Sequence, residues 1–265
     1  MGKIENLILQ HSGRGMDVLR PYLAEDFCTE AADAILTWER GTVVLTTGFY
    51  VAGHAETDGP PGTLLLARAL EHCGFRPFVV TDEPCRGYFE QFDLSVHYFS
   101  QETAEDVFAA FLEEIHPVGL ISVERCGENI RGDYANMRGV SIAIHTAPID
   151  RMFAMAQCPT VGVGDGGNEI GMGKLADVIS EQLSLVPCKV PADYLVIATV
   201  SNWGALGLSA ALGRLPEEKE FLRVYEIAQK LGYVDGMTKE CTLSEDGFSL
   251  EVGKKLLNDL KATNG

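Results

Sequence analysis

The sequence predicts a doubly wound α/β fold: a mostly parallel sheet of about six strands in the Rossmann-like order 3-2-1-4-5-6, preceded by an N-terminal helical extension. Three observations predict it. Short apolar segments alternate with helix-periodic segments from residue 42 onward, which is the pattern of βα units. The apolar segments are continuous Val/Ile/Leu runs rather than alternating ones, so both faces of the sheet are buried. Polar residues crowd the loops after the first, fourth, fifth and sixth segments. The order 3-2-1-4-5-6 sets strand four beside strand one and brings those loops to one crevice.

The elements follow in order. Residues 4–37 are helical, with Ile4, Leu7 and Ile8, then Ala31, Ala34 and Ile35, at helical spacing. Strand one is Thr42–Thr47; its helix, 63–70, ends at Gly74 and follows the pair Pro60-Pro61, which suits a helix start. Strand two is 76–81, with a short helix near 86–91. Strand three is 95–99, followed by a helix over 104–115. Strand four is 118–123; an irregular stretch to 147 and a helix over 152–156 follow. Strand five is 160–163, with its helix at 174–183. Strand six is 194–199, with a helix at 204–212, and helices near 217–231 and 250–260 finish the chain. There is no internal repeat and no linker, so residues 1–265 read as one domain, 1–40 being the extension and 41–265 the sheet, its helices and the active-site loops.

A hydrophobic content of 46% in 265 residues can build a substantial core. The net charge of −17 repels nucleic acid and anionic membrane surfaces, so neither is expected as a partner. It leaves room for a small anionic substrate, since single loops can be positive. No apolar run is long enough to span a membrane. The seven cysteines contain no C-x-x-C pair, and neither a zinc site nor a redox motif is expected. That odd count and the lack of a secretory signal predict a cytoplasmic setting. A homo-oligomer is the expected assembly.

The most informative stretch is Gly162–Lys174, where strand five ends and a helix is predicted to begin. Glycine admits positive φ and close backbone approach, and a helix start offers free N–H groups to an anion. The loop is not a P-loop, because Asn168 stands where the first glycine belongs and Leu175 follows Lys174. It is not a dinucleotide fingerprint either, because Glu169 replaces the third glycine after Gly164 and Gly166. Tight packing alone is the competing reason for such a glycine run.

Asp58, Glu124 and Asp165 are the candidate metal ligands, with Glu169 and a neutral Asn168 beside them. An oxygen-only set suits Mg²⁺ or Mn²⁺ rather than zinc; helix capping is the competing role. Asp165, Glu169, Glu124 and Arg125 are the candidate catalytic residues, with Glu169 or Asp165 as the base. Gly59, Asn136, Arg138, Gly166, Gly167, Asn168, Gly171, Lys174 and Asn202 are the candidate substrate contacts. Arg125, Arg131 and Arg138 suit bidentate contacts to a carboxylate or phosphate, or pairing with Asp133 and Glu128. His54 and His145 are bases or solvated loop histidines. Cys126 reads as a buried filler, and Tyr134 and Trp203 as pocket walls.

Thr57-Asp-Gly-Pro-Pro-Gly62, Glu124-Arg-Cys-Gly127 with Gly132-Asp-Tyr-Ala-Asn-Met-Arg138, and Gly164-Asp-Gly-Gly-Asn-Glu-Ile-Gly-Met-Gly173 together resemble the glutamate cyclase domain family. This is the carboxy-terminal domain of D-glutamate cyclase and its stand-alone microbial relatives, and the resemblance spans roughly residues 40–260. It implies dehydration of D-glutamate to 5-oxo-D-proline. For the stand-alone relatives it also implies a Mg²⁺- or Mn²⁺-dependent phosphohydrolase acting on a small phosphoester. A non-enzymatic sensor of an anionic ligand on the same crevice is the third reading.

Overall fold

The computed structural model describes residues 2–183 and 185–263. Six strands, β1 (Thr42–Thr47), β2 (Arg76–Asp82), β3 (Ser95–Phe99), β4 (Gly119–Val123), β5 (Thr160–Gly164) and β6 (Tyr194–Ile197), form one sheet. Its order is β3-β2-β1-β4-β5-β6, and every neighbouring pair is parallel. The fold is the doubly wound α/β architecture read from the sequence. All five residues of β4 and of β5 are buried, as continuous apolar strands covered on both faces require.

The N-terminal residues are helical: α1 (Lys3–Ile8), α2 (Met16–Leu19) and α3 (Phe27–Thr37). They bury Ile8, Met16, Leu19, Phe27 and Ile35 in the same apolar core as the sheet. Next in the chain come α4 (Pro60–His72), α5 (Glu105–Ile115), α6 (Asp150–Met155), α7 (Ala176–Gln182), α8 (Ser201–Ala211), α9 (Glu218–Lys230) and α10 (Leu250–Thr263). The helix expected near residue 86 is instead two 3₁₀ turns, Glu83–Cys85 and Phe89–Phe92. Short two-residue ladders, Tyr50–Val51 with His54–Ala55 and Ser244–Glu245 with Phe248–Ser249, were not foreseen. Their strands are too short for any periodicity to show. Among the described residues no helix is long and apolar enough to cross a membrane.

Two helix starts lock together at the carboxyl edge of the sheet. Asp58, which leads into α4, accepts N–H bonds from Ser201 at 2.9 Å and Asn202 at 2.7 Å, capping α8. Asn202 returns the favour: its Oδ1 accepts from Gly59 at 2.9 Å and Gly62 at 2.7 Å, capping α4. Each cap satisfies N–H groups that have no partner inside their own helix. The close approach needs Gly62, where a Cβ would meet the Asn202 Cα at 2.8 Å. α8 therefore begins at Ser201, three residues before the expected start at Gly204.

The glycine loop after β5 turns back down the sheet. Gly171, at φ +104°, lies so close to β5 that a Cβ on Gly162 would sit 2.7 Å from its Cα. Gly162→Ala is expected to destabilise the chain by about 1–3 kcal/mol, because the intruded atoms are backbone. Thermal melting tests it; an unchanged midpoint would mean the loop packs elsewhere.

Candidate functional site

The loops after β1, β4, β5 and β6 meet as expected, and the charges they gather are mostly negative. Asp58, Glu124, Asp165 and Glu169 are all buried, and Glu56 and Asp246 join them. Carboxylate oxygens of Glu124, Asp165 and Glu169 lie within 4.8 Å of one another, as do those of Asp58, Asp165 and Asp246. Asp165 belongs to both groups. Glu124 holds φ +47°, a left-handed conformation that a residue with a Cβ adopts at a cost of about 1–3 kcal/mol. Its Oε2 accepts from Ser201 Oγ at 2.5 Å, so α8 also fixes this carboxyl.

Arg14 is the cation of the cluster. Its Nη2 donates to Asp165 Oδ2 at 2.9 Å, to the Thr199 carbonyl at 3.2 Å and to Asp246 Oδ2. Burial opposes its charge, but the fields of Asp165, Glu124, Asp58 and Glu169 outweigh that and hold its pKa above the ordinary value. Among the described residues no second basic side chain pairs with these six carboxyls. So many anions out of water cannot all stay ionised beside one guanidinium. Burial, then the charges of Asp165 and Glu169, push Glu124 well above the carboxylate range. Burial does the same to Asp165. Burial and the Asp58 charge push Glu56 up to about 8. Burial raises Glu169 too, against the backbone N–H bonds that favour its charge.

A cavity of about 310 Å³ opens over this cluster, lined by Glu56, Glu124, Glu169 and Asp246 and by the cations Arg14, Arg138 and Lys239. Asp58 and Asp165 do not line it. Glu56 reaches the wall because residue 236 is glycine: a Cβ there would sit 1.5 Å from Glu56 Oε1. A neighbouring groove of about 680 Å³ holds His54 and Arg86, and His145 borders both spaces, stacked on Tyr50 at 3.7 Å.

Several expected contacts are placed differently. The N–H groups of Gly166 and Gly167, read as an anion cradle, donate to Glu169 at 2.8 and 2.7 Å. The carboxylate inside the loop takes the place of an external anion. Gly171 packs on Gly162, and Lys174 is exposed, bonded to the carbonyl of Asp193 just ahead of β6. The loop has by then reached the amino edge of the sheet, and a 3₁₀ turn, Gly173–Leu175, precedes α7. Gly59 and Asn202 serve the reciprocal caps. Asn168 and Asn136 do line the cavity, but Asn168 Nδ2 donates to the Ala135 carbonyl at 3.0 Å. Asn136 Oδ1 accepts from the backbone of Arg138 and Val140 at 3.0 and 3.1 Å. Tyr134 donates to Asp150 at 2.6 Å and Trp203 to Glu245 at 2.7 Å, so both polar tips are engaged away from the cavity.

Arg125 is buried, and both terminal nitrogens of its guanidinium are engaged with the scaffold, while Nε has no partner among the described residues. The guanidinium pairs with Asp82 at 2.6 Å and donates to the carbonyls of Gly48 at 3.0 Å and Ala147 at 2.7 Å. Arg125→Ala is expected to cost about 3–5 kcal/mol, because Asp82 would remain as a buried unpaired charge. Chemical denaturation measures it; a loss below about 1 kcal/mol would show that the pair is solvated.

Arg14, Asp246 and Lys239 escaped the sequence reading as site residues. Gly13-Arg14-Gly15 does carry a signal, an arginine flanked by glycines between two helices, but it is remote in sequence from every loop of the sheet.

A family model described as D-glutamate cyclase-like, C-terminal, matches residues 4–261. The chain belongs to that family. Over 199 residues this D-glutamate cyclase-like chain is 30% identical to the Homo sapiens protein "D-glutamate cyclase, mitochondrial". The aligned part is 64% of this chain and 32% of the human protein, so the chain spans about a third of the relative it matches.

Proposed function

We propose that this D-glutamate cyclase-like chain is a lyase that closes D-glutamate, or a similar acidic amino acid, to 5-oxo-D-proline with loss of water. The observation that carries the reading is the mixed charge of the cavity wall. Glu56, Glu124, Glu169 and Asp246 suit an ammonium group, and Arg14, Arg138 and Lys239 suit carboxylates. A zwitterionic diacid answers both; a phosphoester answers only the cations. The phosphohydrolase reading also needs backbone N–H groups for phosphate, and those of Gly166 and Gly167 are taken by Glu169.

A divalent ion, Mg²⁺ or Mn²⁺, is part of the proposal. The oxygen-only donor set fits such an ion. Asp165 Oδ1 is buried without a hydrogen-bond partner among the described residues, which is the open valence a cation would fill. Arg14 already bonds Asp165 and Asp246, so the ion would be held by Glu124, Asp165 and Glu169. When bound it supplies positive charge that polarises a carboxyl oxygen. The chain's own residues do the rest. Arg138 and Lys239 draw the carboxylates in, and the cavity folds the diacid toward its ring-closing conformer. Among the described residues nothing donates a hydrogen bond to the Glu56 carboxyl, which faces the cavity free to carry protons. It takes a proton from the ammonium, and the amine nitrogen attacks the side-chain carboxyl carbon. The C–N bond forms and a C–O bond breaks. Glu56 delivers the two ammonium protons in turn to the departing oxygen, which leaves as water.

Incubation of the chain with D-glutamate and Mn²⁺ or Mg²⁺, followed by chromatography on a chiral phase, is expected to yield 5-oxo-D-proline, with little product under chelator. Phosphate release from small phosphoesters without any cyclised product would replace this reading with the hydrolase. Saturable binding of D-glutamate with no turnover would leave a sensor.

A further inference from the structure

The guanidinium of Arg14 is only half used by the cluster that anchors it. Every oxygen it bonds is reached from one nitrogen, Nη2. Nη1 points at the Met137 sulfur at 3.9 Å, a weak acceptor, and among the described residues no oxygen accepts from Nη1 or Nε. The side chain lines the cavity and keeps 19% of its surface open. An arginine clamped through one nitrogen, with donors that no oxygen takes and a side chain that lines a cavity, is a preorganised anion receptor. Its orientation is set before the ligand arrives, so little freedom is lost on binding.

We propose that Arg14 is a substrate-binding residue, holding a carboxylate of the substrate with the free donors of its fork while Asp165 and Asp246 hold the guanidinium in place. This rests on the reading of the cavity as a site for an acidic amino acid and assigns one of its carboxylates a fixed partner. Four carboxyls line the same wall, and those of them that are ionised repel an incoming anion. Arg138 is exposed at the rim, whereas Arg14 is held down among those carboxyls. Arg14 is therefore the cation that lets an anion settle at the depth of Glu124 and Glu169. It comes from the segment before α2, so the N-terminal extension belongs to the binding site, where a sheet-centred reading would treat it as packing.

Glutarate is the probe: it carries both carboxylates of glutamate and cannot cyclise. Isothermal titration of the full chain with glutarate, and separately with Mn²⁺, is compared for the wild type, Arg14→Gln and Arg14→Lys. Glutarate affinity is expected to fall at least about tenfold in Arg14→Gln, as loss of a charged hydrogen-bond pair implies. It should recover only partly in Arg14→Lys, a point charge without a fork. Mn²⁺ binding is expected to hold or tighten in Arg14→Gln, because a positive charge has left an acidic cluster. A merely structural role would weaken both ligands together, so parallel loss in both variants overturns the proposal. Glutarate binding that Arg14→Gln leaves unchanged, or that the wild type lacks, overturns it too. Should Arg14→Gln not fold, the glutarate-to-Mn²⁺ contrast in Arg14→Lys decides alone. If glutarate behaves as expected while D-glutamate is not cyclised, the lyase reading fails and the assignment of Arg14 stands.

Discussion

Glu124→Gln is expected to melt higher than the wild type in chelator at pH 7.5 and to lose at least about 100-fold in turnover. The two effects share one cause. Glu124 is buried among Asp165, Glu169, Asp58 and Glu56, and burial with their charges holds its pKa well above the usual 4.5. Folding at pH 7.5 must therefore load a proton onto it or tolerate a repelled anion, at about 1.4 kcal/mol per pH unit between its unfolded pKa and the working pH. Glutamine has the same shape and no charge, and its carbonyl still accepts from Ser201 Oγ, so that cost disappears. The variant also lacks an ionisable oxygen for an ion or a proton, so activity goes with it. Stability bought at the expense of function is common where like charges are held together for chemistry. Differential scanning fluorimetry with and without EDTA, beside the cyclisation assay, reads both. A lower melting point in EDTA would mean that Glu124 is ionised and well paired, contrary to the charge balance of the site.

In chelator, the wild type is expected to lose stability steadily as the pH rises from about 5 to about 8, and added Mn²⁺ or Mg²⁺ should flatten or reverse the slope. Burial and the Asp58 charge raise Glu245 to about 7 from 4.5, and the same two causes raise Glu56 to about 8. A carboxyl whose folded pKa is raised binds its proton more tightly folded than unfolded. Its contribution is complete below pH 4.5 and is lost as the pH climbs through the folded value, so the window for these two groups ends near 7 and 8. Glu124 and Asp165, raised in the same direction, add to the slope. Each group contributes at most about 1.4 kcal/mol per pH unit within its window. A divalent ion, as proposed, would bind the ionised carboxylates and turn the repulsion into coordination. Melting points that rise with pH across this window, without metal, would show that the cluster is already neutralised within the chain.

The order of the sheet was legible because a βα chain has few ways to be wound, and because polar loops must share an edge to make a site. The continuous Val/Ile/Leu runs of β1, β4 and β5 could only be buried on both faces. Glu124, Asp165 and Glu169 were legible for the same reason: each follows a strand on the edge where ligands gather. What those residues touch was decided by the tertiary structure alone. Asp165 and Glu169 lie on a loop, yet both are buried: Arg14 of the N-terminal segment and Asp246 of the Ser244–Ser249 hairpin meet at Asp165, and Glu169 turns back onto the N–H groups of Gly166 and Gly167. Arg14 and Asp246 stand 232 positions apart and meet over Asp165. No local pattern can announce such a pair, since periodicity and turn chemistry carry information over a few residues only. The same limit hid the fate of the glycine loop. Its composition told of close backbone approach, and the approach is real, but the partners are Gly162 and the carboxylate of Glu169, chosen by where the loop turns once β5, β6 and α7 have packed.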